Sequence, residues 1–581
     1  MIIKIIDIKL KYYLRLSFIW AVVFYSQSIR AQNSQIRTQD SIDAQVVTIV
    51  KPYTPKISDA FKLKQAPSIK IFDDSQKSIR YTIFSIPAVS TFKPEKVNSL
   101  SLKRLKNEKL FENYSSVGFG NYGTVLGVLS LNQKLGIAET LLGYFEHHSS
   151  QGGIDGLQLE DSFFNNTAQF NYSKSFKKLI LNTDLSYVRH AINWYGLPNQ
   201  ATVSIKPKQI YSALCLSSDI EFVEGVFHTG SVDFQRFSDD YGSHEHRIKA
   251  KSVLTPNILD QSINTDIIIH YLNGKFNQNL FDTEQKSYGN TIFSIAPSFE
   301  YSFGDLSVSL GVRATLLIDS YTDVNKFYIY PNIEANYSIV NNIVLAYAQI
   351  KGDLIQNTYF DFAQINPFVS PTLEIRPSST PYKLILGSKG KLSEFVEYDL
   401  NGSYSKQNDK ALFRSNPIMN LTAFTNYNQG NSFGIVYDDI DVFNISGALE
   451  LEMIQKLKLR LEGGLYKYTS DLEPTVWNLP DFEASLFIDY QFNDKCSLVG
   501  ALFYFGARDD STIYDSLLIE TTNETLDSFF DANLQLNFQV SSRWSTFLKV
   551  NNMTNTNYSR WNNYPVQGFQ ILSGTSYKFD F

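Results

Sequence analysis

One cluster of side chains in the sequence has the composition of a metal site. His244 and His246 flank a glutamate and closely follow Asp239 and Asp240. On a β-strand the two histidines would share a face, which is a workable spacing for two metal ligands. The alternative interpretation is the polar edge of a loop, and it is the one we favour. His244 and His246 are therefore the candidate ligands, and we predict no bound metal and no cofactor.

The sequence contains no pattern typical of an enzyme. It lacks a Gly-x-Ser-x-Gly elbow, a glycine-rich phosphate loop and a Cys-x-x-Cys pair. Asp509 and Asp510 are interpreted as a solvated charge pair in a long loop. The net charge of −6 gives no basic surface for nucleic acid. We therefore predict that the chain is not an enzyme and does not bind nucleic acid.

Aromatic residues in the polar intervals have two interpretations. They could stack on a ligand or partner, or they could form the aromatic girdle of a membrane protein. We favour the girdle for those near the ends of strands and leave the others open. The residues are Tyr321, Phe327, Tyr359, Phe360, Phe362, Phe424, Tyr427 and Tyr514.

The N-terminus has the order of a secretory signal peptide. A basic stretch ends at Arg15, an apolar run follows over residues 16–25, and a polar tail leads to Ala31. The apolar run is too short to span a bilayer comfortably, so cleavage after Ala31 is favoured over a membrane anchor. Since no later segment has eighteen consecutive apolar residues, only strands remain as a means of crossing a membrane.

Alternating apolar and polar residues dominate the chain after residue 110. Between Ala532 and Val540 every second residue is apolar and those between are Asn or Gln. Residues 445–453 and 457–465 repeat the alternation on either side of a short break. Aromatic residues make up 14% of the chain, with 43 Phe and 35 Tyr, which favours strands and membrane girdles.

Short breaks in this alternation are separated by longer polar intervals. The short breaks lie at residues 303–305, 340–342, 492–495 and 541–543, and the long intervals at residues 153–161, 319–325, 366–380 and 507–525. At roughly 21 to 24 residues for a strand with its share of loop, residues 111–581 would form about 20 to 22 strands. We therefore predict an all-β fold, a large transmembrane antiparallel β-barrel integral to the outer membrane.

The chain ends on a strand with alternating aromatic residues. Tyr577, Phe579 and Phe581 lie on one face, with Lys578 and Asp580 on the other. This ending resembles the segment that the barrel-assembly machinery reads on outer-membrane proteins. The resemblance implies that this machinery inserts the chain among the outer-membrane lipids.

Two short runs near the C-terminus carry a family resemblance. Residues 551–555 read Asn-Asn-Met-Thr-Asn, and residues 564–568 read Tyr-Pro-Val-Gln-Gly before the last strand. Over residues 546–581 the chain resembles the end of the barrel of TonB-dependent receptors, particularly those of the Bacteroidota. Upstream of residue 546 the chain resembles that family only in the regular spacing of its predicted strands. The resemblance implies transport of a substrate across the outer membrane with the help of a periplasmic energy transducer.

The segment before the barrel departs from that family. Its members carry a plug domain of well over one hundred residues, whereas residues 32–110 here are rich in Lys and Pro and predict an extended segment, periplasmic or lumenal. Within it Val46, Val47, Thr48, Ile49 and Val50 resemble a TonB box, with a plain extended segment as the alternative. The predicted division is a signal peptide (1–31), the extended segment (32–110) and the barrel (111–581).

Two functions remain open from the sequence. The first is a receptor-like transporter, with the energy transducer or a surface lipoprotein subunit as partner. The second is a non-transporting barrel subunit or scaffold of an outer-membrane assembly or surface-export complex. A general diffusion porin is less favoured because porins have fewer strands.

Overall fold

The computed structural model describes most of the chain after residue 110. The described residues are 111–198, 205–258, 261–280, 284–321, 325–340, 343–418, 426–453, 456–513 and 521–581. The predicted signal peptide, the extended segment and the TonB-box-like residues 46–50 lie outside them. Within the described ranges, no helix has the length and apolar character needed to cross a membrane.

Antiparallel strands make up nearly all the regular structure. The first eleven are β1 (Asn113–Gly120), β2 (Val125–Gly136), β3 (Glu139–Ser150), β4 (Phe163–Ser175), β5 (Leu179–Asn193), β6 (Lys208–Phe222), β7 (Phe227–Asp239), β8 (His244–Leu254), β9 (Asn257–Ile258), β10 (Gln261–Phe276) and β11 (Lys286–Phe303). The next nine are β12 (Leu306–Asp319), β13 (Asn325–Val340), β14 (Val344–Ile355), β15 (Ser378–Ser393), β16 (Val396–Ser415), β17 (Phe433–Met453), β18 (Leu457–Ser470), β19 (Phe482–Asn493) and β20 (Cys496–Phe505). The last seven are β21 (Arg508–Ile513), β22 (Thr521–Leu526), β23 (Phe529–Gln539), β24 (Trp544–Asn551), β25 (Ser559–Trp561), β26 (Tyr564–Pro565) and β27 (Gln570–Phe579), and helix α1 (Tyr359–Ile365) lies between β14 and β15.

The sheet closes into a barrel because its first and last strands pair. β1 runs antiparallel to β27 in a register from Asn113 opposite Phe579 to Gly120 opposite Leu572. The remaining barrel strands pair with their neighbours in chain order, while β9, β21–β22 and β25–β26 lie outside the main wall. The barrel has 22 strands, which confirms the predicted fold and strand number.

The alternation in the sequence separates the lipid face from the lumen. On β23 the apolar residues Leu536 and Phe538 point outward and are exposed, whereas Asn533 points inward and is 4% exposed. The opposite side chains of β20 follow the same rule, with Leu536 facing Leu498 and Asn537 facing Ser497. The apolar face thus meets lipid and the amide face lines the lumen, as large transmembrane barrels require.

The connections between strands differ in length at the two ends of the barrel. Short turns join strands at one end, where the predicted turns at residues 303–305, 492–495 and 541–543 lie. Residues 341–342 of the remaining predicted turn lie outside the described residues. The long connections lie at the other end, which we call the outer end because long loops face the cell surface in such barrels. Within the predicted long loop 507–525, residues 508–513 form β21 and residues 521–525 form most of β22, while α1 ends immediately before the predicted long loop 366–380.

An aromatic ring covers the seam where the barrel closes. On the lumenal side Phe547 packs with Leu126, Val128 and Leu572. A Cβ atom added to Gly574 would lie 2.3 Å from Phe547 Cζ and 2.4 Å from the carbonyl oxygen of Val117. Only glycine therefore lets the ring lie flat against the β24–β27–β1 seam.

We predict that Gly574→Ala weakens closure of the barrel. The added methyl group overlaps a ring and a backbone oxygen, and overpacking of this kind costs about 1–3 kcal/mol. The midpoint of urea unfolding, followed by the heat-modifiable gel mobility of the detergent-solubilised protein, should fall. Gly402→Ala is the matched control, since the nearest atom to its added Cβ is 3.9 Å away. Equal midpoints for the two variants would contradict the role of the seam.

Candidate functional site

An aromatic cluster occupies the outer end of the lumen, and we call it the cap. It combines lumen-facing residues of the barrel wall with residues of the connections β5–β6, β14–β15, β16–β17 and β24–β27. Its fully or largely buried members are Ile192, Trp194, Tyr195, Tyr211, Ala213, Phe237, Leu272, Phe276, Tyr288, Tyr359, Phe362, Ala363, Phe368, Val369, Leu373, Ile375, Tyr427, Phe433, Trp561 and Tyr564. The outer loops thus fold inward and share one apolar core with the wall.

Loops from opposite walls meet in this cap. Trp194 follows the fifth strand of the barrel, and Asn431 precedes the sixteenth of the 22 strands, so their strands lie on opposite sides of the lumen. The side-chain amide of Asn431 nevertheless donates to the carbonyl oxygen of Trp194 at 3.1 Å. The indole N–H of Trp194 in turn donates to Pro367 in the β14–β15 loop at 3.2 Å. These hydrogen bonds therefore join loops that start on different sides of the barrel.

Tyr564 lies where four connections converge. Its ring stacks on Phe368 with centroids 3.6 Å apart and tilts against Tyr195 at 5.0 Å. Its hydroxyl donates to the carbonyl oxygen of Asn431 at 2.6 Å. A Cβ atom on Gly196 would lie 2.4 Å from this ring, so glycine is required for the close approach. Tyr564 therefore links the β5–β6, β14–β15, β16–β17 and β24–β27 connections.

A buried carboxylate of the wall holds the N-terminus of α1. Thr358 is the N-cap, and its hydroxyl accepts from the N–H of Asp361 at 2.9 Å. The first N–H groups of a helix have no partner within the helix. Here Glu245 on β8 accepts from the N–H of Tyr359 at 2.7 Å and of Phe360 at 3.2 Å. Glu245 is 1% exposed and also accepts from the hydroxyl of Tyr288 at 2.8 Å.

A second carboxylate reinforces the attachment of this helix. Asp239, the last residue of β7, accepts from the hydroxyl of Tyr359 at 2.8 Å and from the backbone N–H groups of Tyr241 and Ser243. Arg247 forms an ion pair with Asp361 at 3.3 Å. Buried polar groups are stable only when hydrogen-bonded. The helix is therefore held to the β7–β8 wall mainly through two carboxylates of the wall.

The hairpin β21–β22 docks through a buried aspartate. Asp510 is fully buried and accepts from the N–H and hydroxyl of Ser415, at 3.1 Å and 2.9 Å. Burial raises the pKa of this carboxyl to about 6. Nearby, the guanidinium of Arg508 lies 5.1 Å from the centre of the Phe505 ring and donates to the carbonyl oxygen of Ser559 at 2.8 Å. The interpretation of Asp510 as part of a solvated charge pair is therefore wrong, because the hairpin packs against the end of β16 instead of projecting into water.

The structure divides the candidate triplet 244–246 between the two faces of β8. His244 and His246 share the outward face of β8, with ring centroids 5.9 Å apart, and Glu245 points into the lumen. Among the residues that the structure describes, no group of three or more His, Cys, Asp or Glu side chains is arranged to hold a metal ion.

At the C-terminus Tyr577 and Phe579 stack with centroids 5.9 Å apart, and Phe581 is exposed.

Among the described loop aromatics, some fit the predicted girdle and others are buried in the cap, whereas Phe424 and Tyr514 lie outside the described residues. Phe327 and Tyr321 are exposed near the outer ends of β12 and β13, as a girdle predicts. Tyr359, Phe362 and Tyr427 are buried in the cap. The sequence did not distinguish these sets because both consist of aromatic residues in the connections between strands or near the ends of strands.

These features define a large transmembrane β-barrel whose outer end is filled by its own loops. The FrpB iron transporter from Neisseria meningitidis has a similar fold, with a TM-score of 0.61 and 11% identity over 81% of this chain and 82% of that one. The pyoverdine receptor FpvA from Pseudomonas aeruginosa PAO1, bound to pyoverdine, gives 0.60 and 11% over 81% and 78%. The copper transporter OprC gives 0.56 and 11% over 82% of each chain.

The comparisons bear on the fold alone at these identities. Neither a protein-family model nor a curated protein sequence matches the chain. The neighbours are TonB-dependent receptors, so the resemblance predicted from residues 546–581 is confirmed for the barrel.

We predict that Glu245→Gln loosens α1 from the wall. The amide has one acceptor oxygen for three donors and brings its own N–H groups, and an unsatisfied buried donor costs about 1–3 kcal/mol. Chymotrypsin added to the detergent-solubilised protein should then cut within residues 356–377 roughly tenfold faster. Glu300→Gln is the control, because Glu300 lies on the lumenal face of β11 and is exposed. Unchanged cleavage in Glu245→Gln would show that the carboxylate does not hold the helix.

Proposed function

We propose that the chain takes part in transport of a substrate across the outer membrane, with the cap as the gate at the outer end. The observation that carries the proposal is the hydrogen-bonded contact between loops of opposite walls. A 22-strand barrel encloses a wide lumen, and a diffusion pore of that width would be open. A gate made of loops can open by rearranging a few contacts without disturbing the barrel wall.

The fold of the neighbours supports the same proposal. Their names describe receptors and transporters, of iron, of a pyoverdine or of copper. Those substrates belong to the neighbours, because similarity at 11% identity extends to the fold alone.

The segments before the barrel and the last strand act in export, coupling to energy and assembly. A signal peptide of residues 1–31 directs export and is removed after Ala31. Residues 32–110 then form the segment that meets a periplasmic energy transducer, with Val46 to Val50 as the pairing strand. Tyr577, Phe579 and Phe581 are the residues that the barrel-assembly machinery recognises.

A scaffold function is the second candidate. It is favoured by the composition of residues 32–110, which is unlike that of a plug and would suit an extended contact with another subunit. In this case the cap would seal the barrel permanently, and the protein would be isolated in a fixed complex with other outer-membrane components.

We predict that replacing residues 46–50 with a Gly-Ser sequence of equal length removes the energy transducer from the isolated protein. The native chain and the variant are purified gently from their own outer membrane, and the co-purified proteins are identified by mass spectrometry. The transducer should accompany the native chain and be lost from the variant, because Gly-Ser does not form the pairing strand.

The matched control replaces residues 57–61 in the same way and should retain the transducer. A stoichiometric complex with other assembly components, and no transducer in any sample, would contradict the transport proposal and favour the scaffold.

A further inference from the structure

Several lysines line the lumenal wall formed by β13–β16. Lys351 and Lys383 stand directly opposite each other on β14 and β15. Lys389 follows on the lumenal face of β15, opposite Asp399 of β16, and Lys410 lies on β16 opposite Asp438 of β17. Like charges that face each other across two strands are unfavourable unless an anion lies between or beside them.

The carboxylates on this wall already have partners. Glu334 binds Lys351 at 2.6 Å, and Glu397 binds Lys391 at 2.7 Å. Asp353 lies 3.7 Å from Arg313, and Asp399 accepts from the hydroxyl of Tyr347 at 2.6 Å. These contacts leave Lys383 and Lys410 without an ion pair among the described residues.

Lys383, Lys389 and Lys410 form a track along the lumen, which we call the lysine track. Lys383 and Lys389 are six residues apart on one strand, which corresponds to about 20 Å. Lys410 lies near Lys383 and toward the outer end. Lys389 lies 5.7 Å from the centre of the Tyr347 ring. The side chain of Lys383 is exposed to the lumenal space.

The lysine track lies between the cap and the short-turn end of the barrel. β15 begins at Ser378, directly after the loop that contains α1. Lys383 therefore lies a few residues below the cap, and Lys389 lies closer to the short-turn end. A solute that passed the cap along this wall would meet Lys410 and Lys383 first and Lys389 later.

We propose that the lysine track binds an elongated solute that carries several phosphate or carboxylate groups. This inference rests on the proposed function, since it names the chemical class of the cargo. Lysine ammonium groups bind phosphate as point charges, and low-dielectric walls concentrate the field of aligned charges inside a channel. The spacing along the strand suits a chain of anionic groups better than one small anion, which could contact only one end of the track.

The test uses short-chain linear polyphosphate as the probe and the full chain in detergent, with binding measured by isothermal titration calorimetry. The native chain should bind saturably, and affinity should fall as salt is raised. The variant Lys383→Gln/Lys410→Gln should bind at least about tenfold more weakly, because two charge-assisted contacts are lost. Lys383→Arg/Lys410→Arg should restore most of the affinity.

The control variant is Lys391→Gln/Lys458→Gln, which removes two exposed, ion-paired lysines near the short-turn end. It should bind within about twofold of the native chain. No saturable binding by the native chain, or equal loss in the two Gln variants, would overturn the inference. Binding does not require residues 46–50, so a failure here leaves the result for the energy transducer standing, and the reverse also holds.

Discussion

The pairing of β1 with β27 is the constraint on which the rest of the structure depends. Within a bilayer every backbone N–H and C=O must find a partner, so a sheet in lipid cannot have an open edge. The chain meets this requirement with an antiparallel seam from Asn113 to Gly120, covered on the lumenal side by Phe547. Closure at 22 strands then creates a lumen that the wall side chains alone do not fill.

The cap follows from that wide lumen. Loops that fold inward must bury their backbone polar groups, and they do so through side chains of the wall and of each other. Glu245 and Asp239 on β7 and β8 accept from α1, while Asn431 and Tyr564 connect loops that start on different walls. The same end of the barrel therefore combines a rigid wall with loops held by a small number of hydrogen bonds, an arrangement suited to a gate.

The sequence was sufficient to predict the barrel but not the cap. Alternation over residues such as 532–540 predicts both the strand and the side that meets lipid. Successive side chains of a strand point to opposite faces, so every second residue being apolar makes one whole face apolar. The pairing of Asn431 with Trp194 has no such signal, since 237 residues separate them along the chain and neither belongs to a repeat. In the triplet 244–246 the sequence singled out the histidines as candidate ligands, whereas the glutamate between them is the residue that holds α1.

The most direct test of the account is the ion conductance of single barrels in a planar lipid bilayer, compared between the native chain and a variant whose residues 357–376 are replaced by a short Gly-Asn turn. The account predicts that the native barrel stays closed apart from brief openings and that the variant, which lacks α1 and the stacking partner of Tyr564, conducts persistently. Equal conductance in the two proteins, whether both are open or both are closed, would contradict the claim that the loops close the lumen.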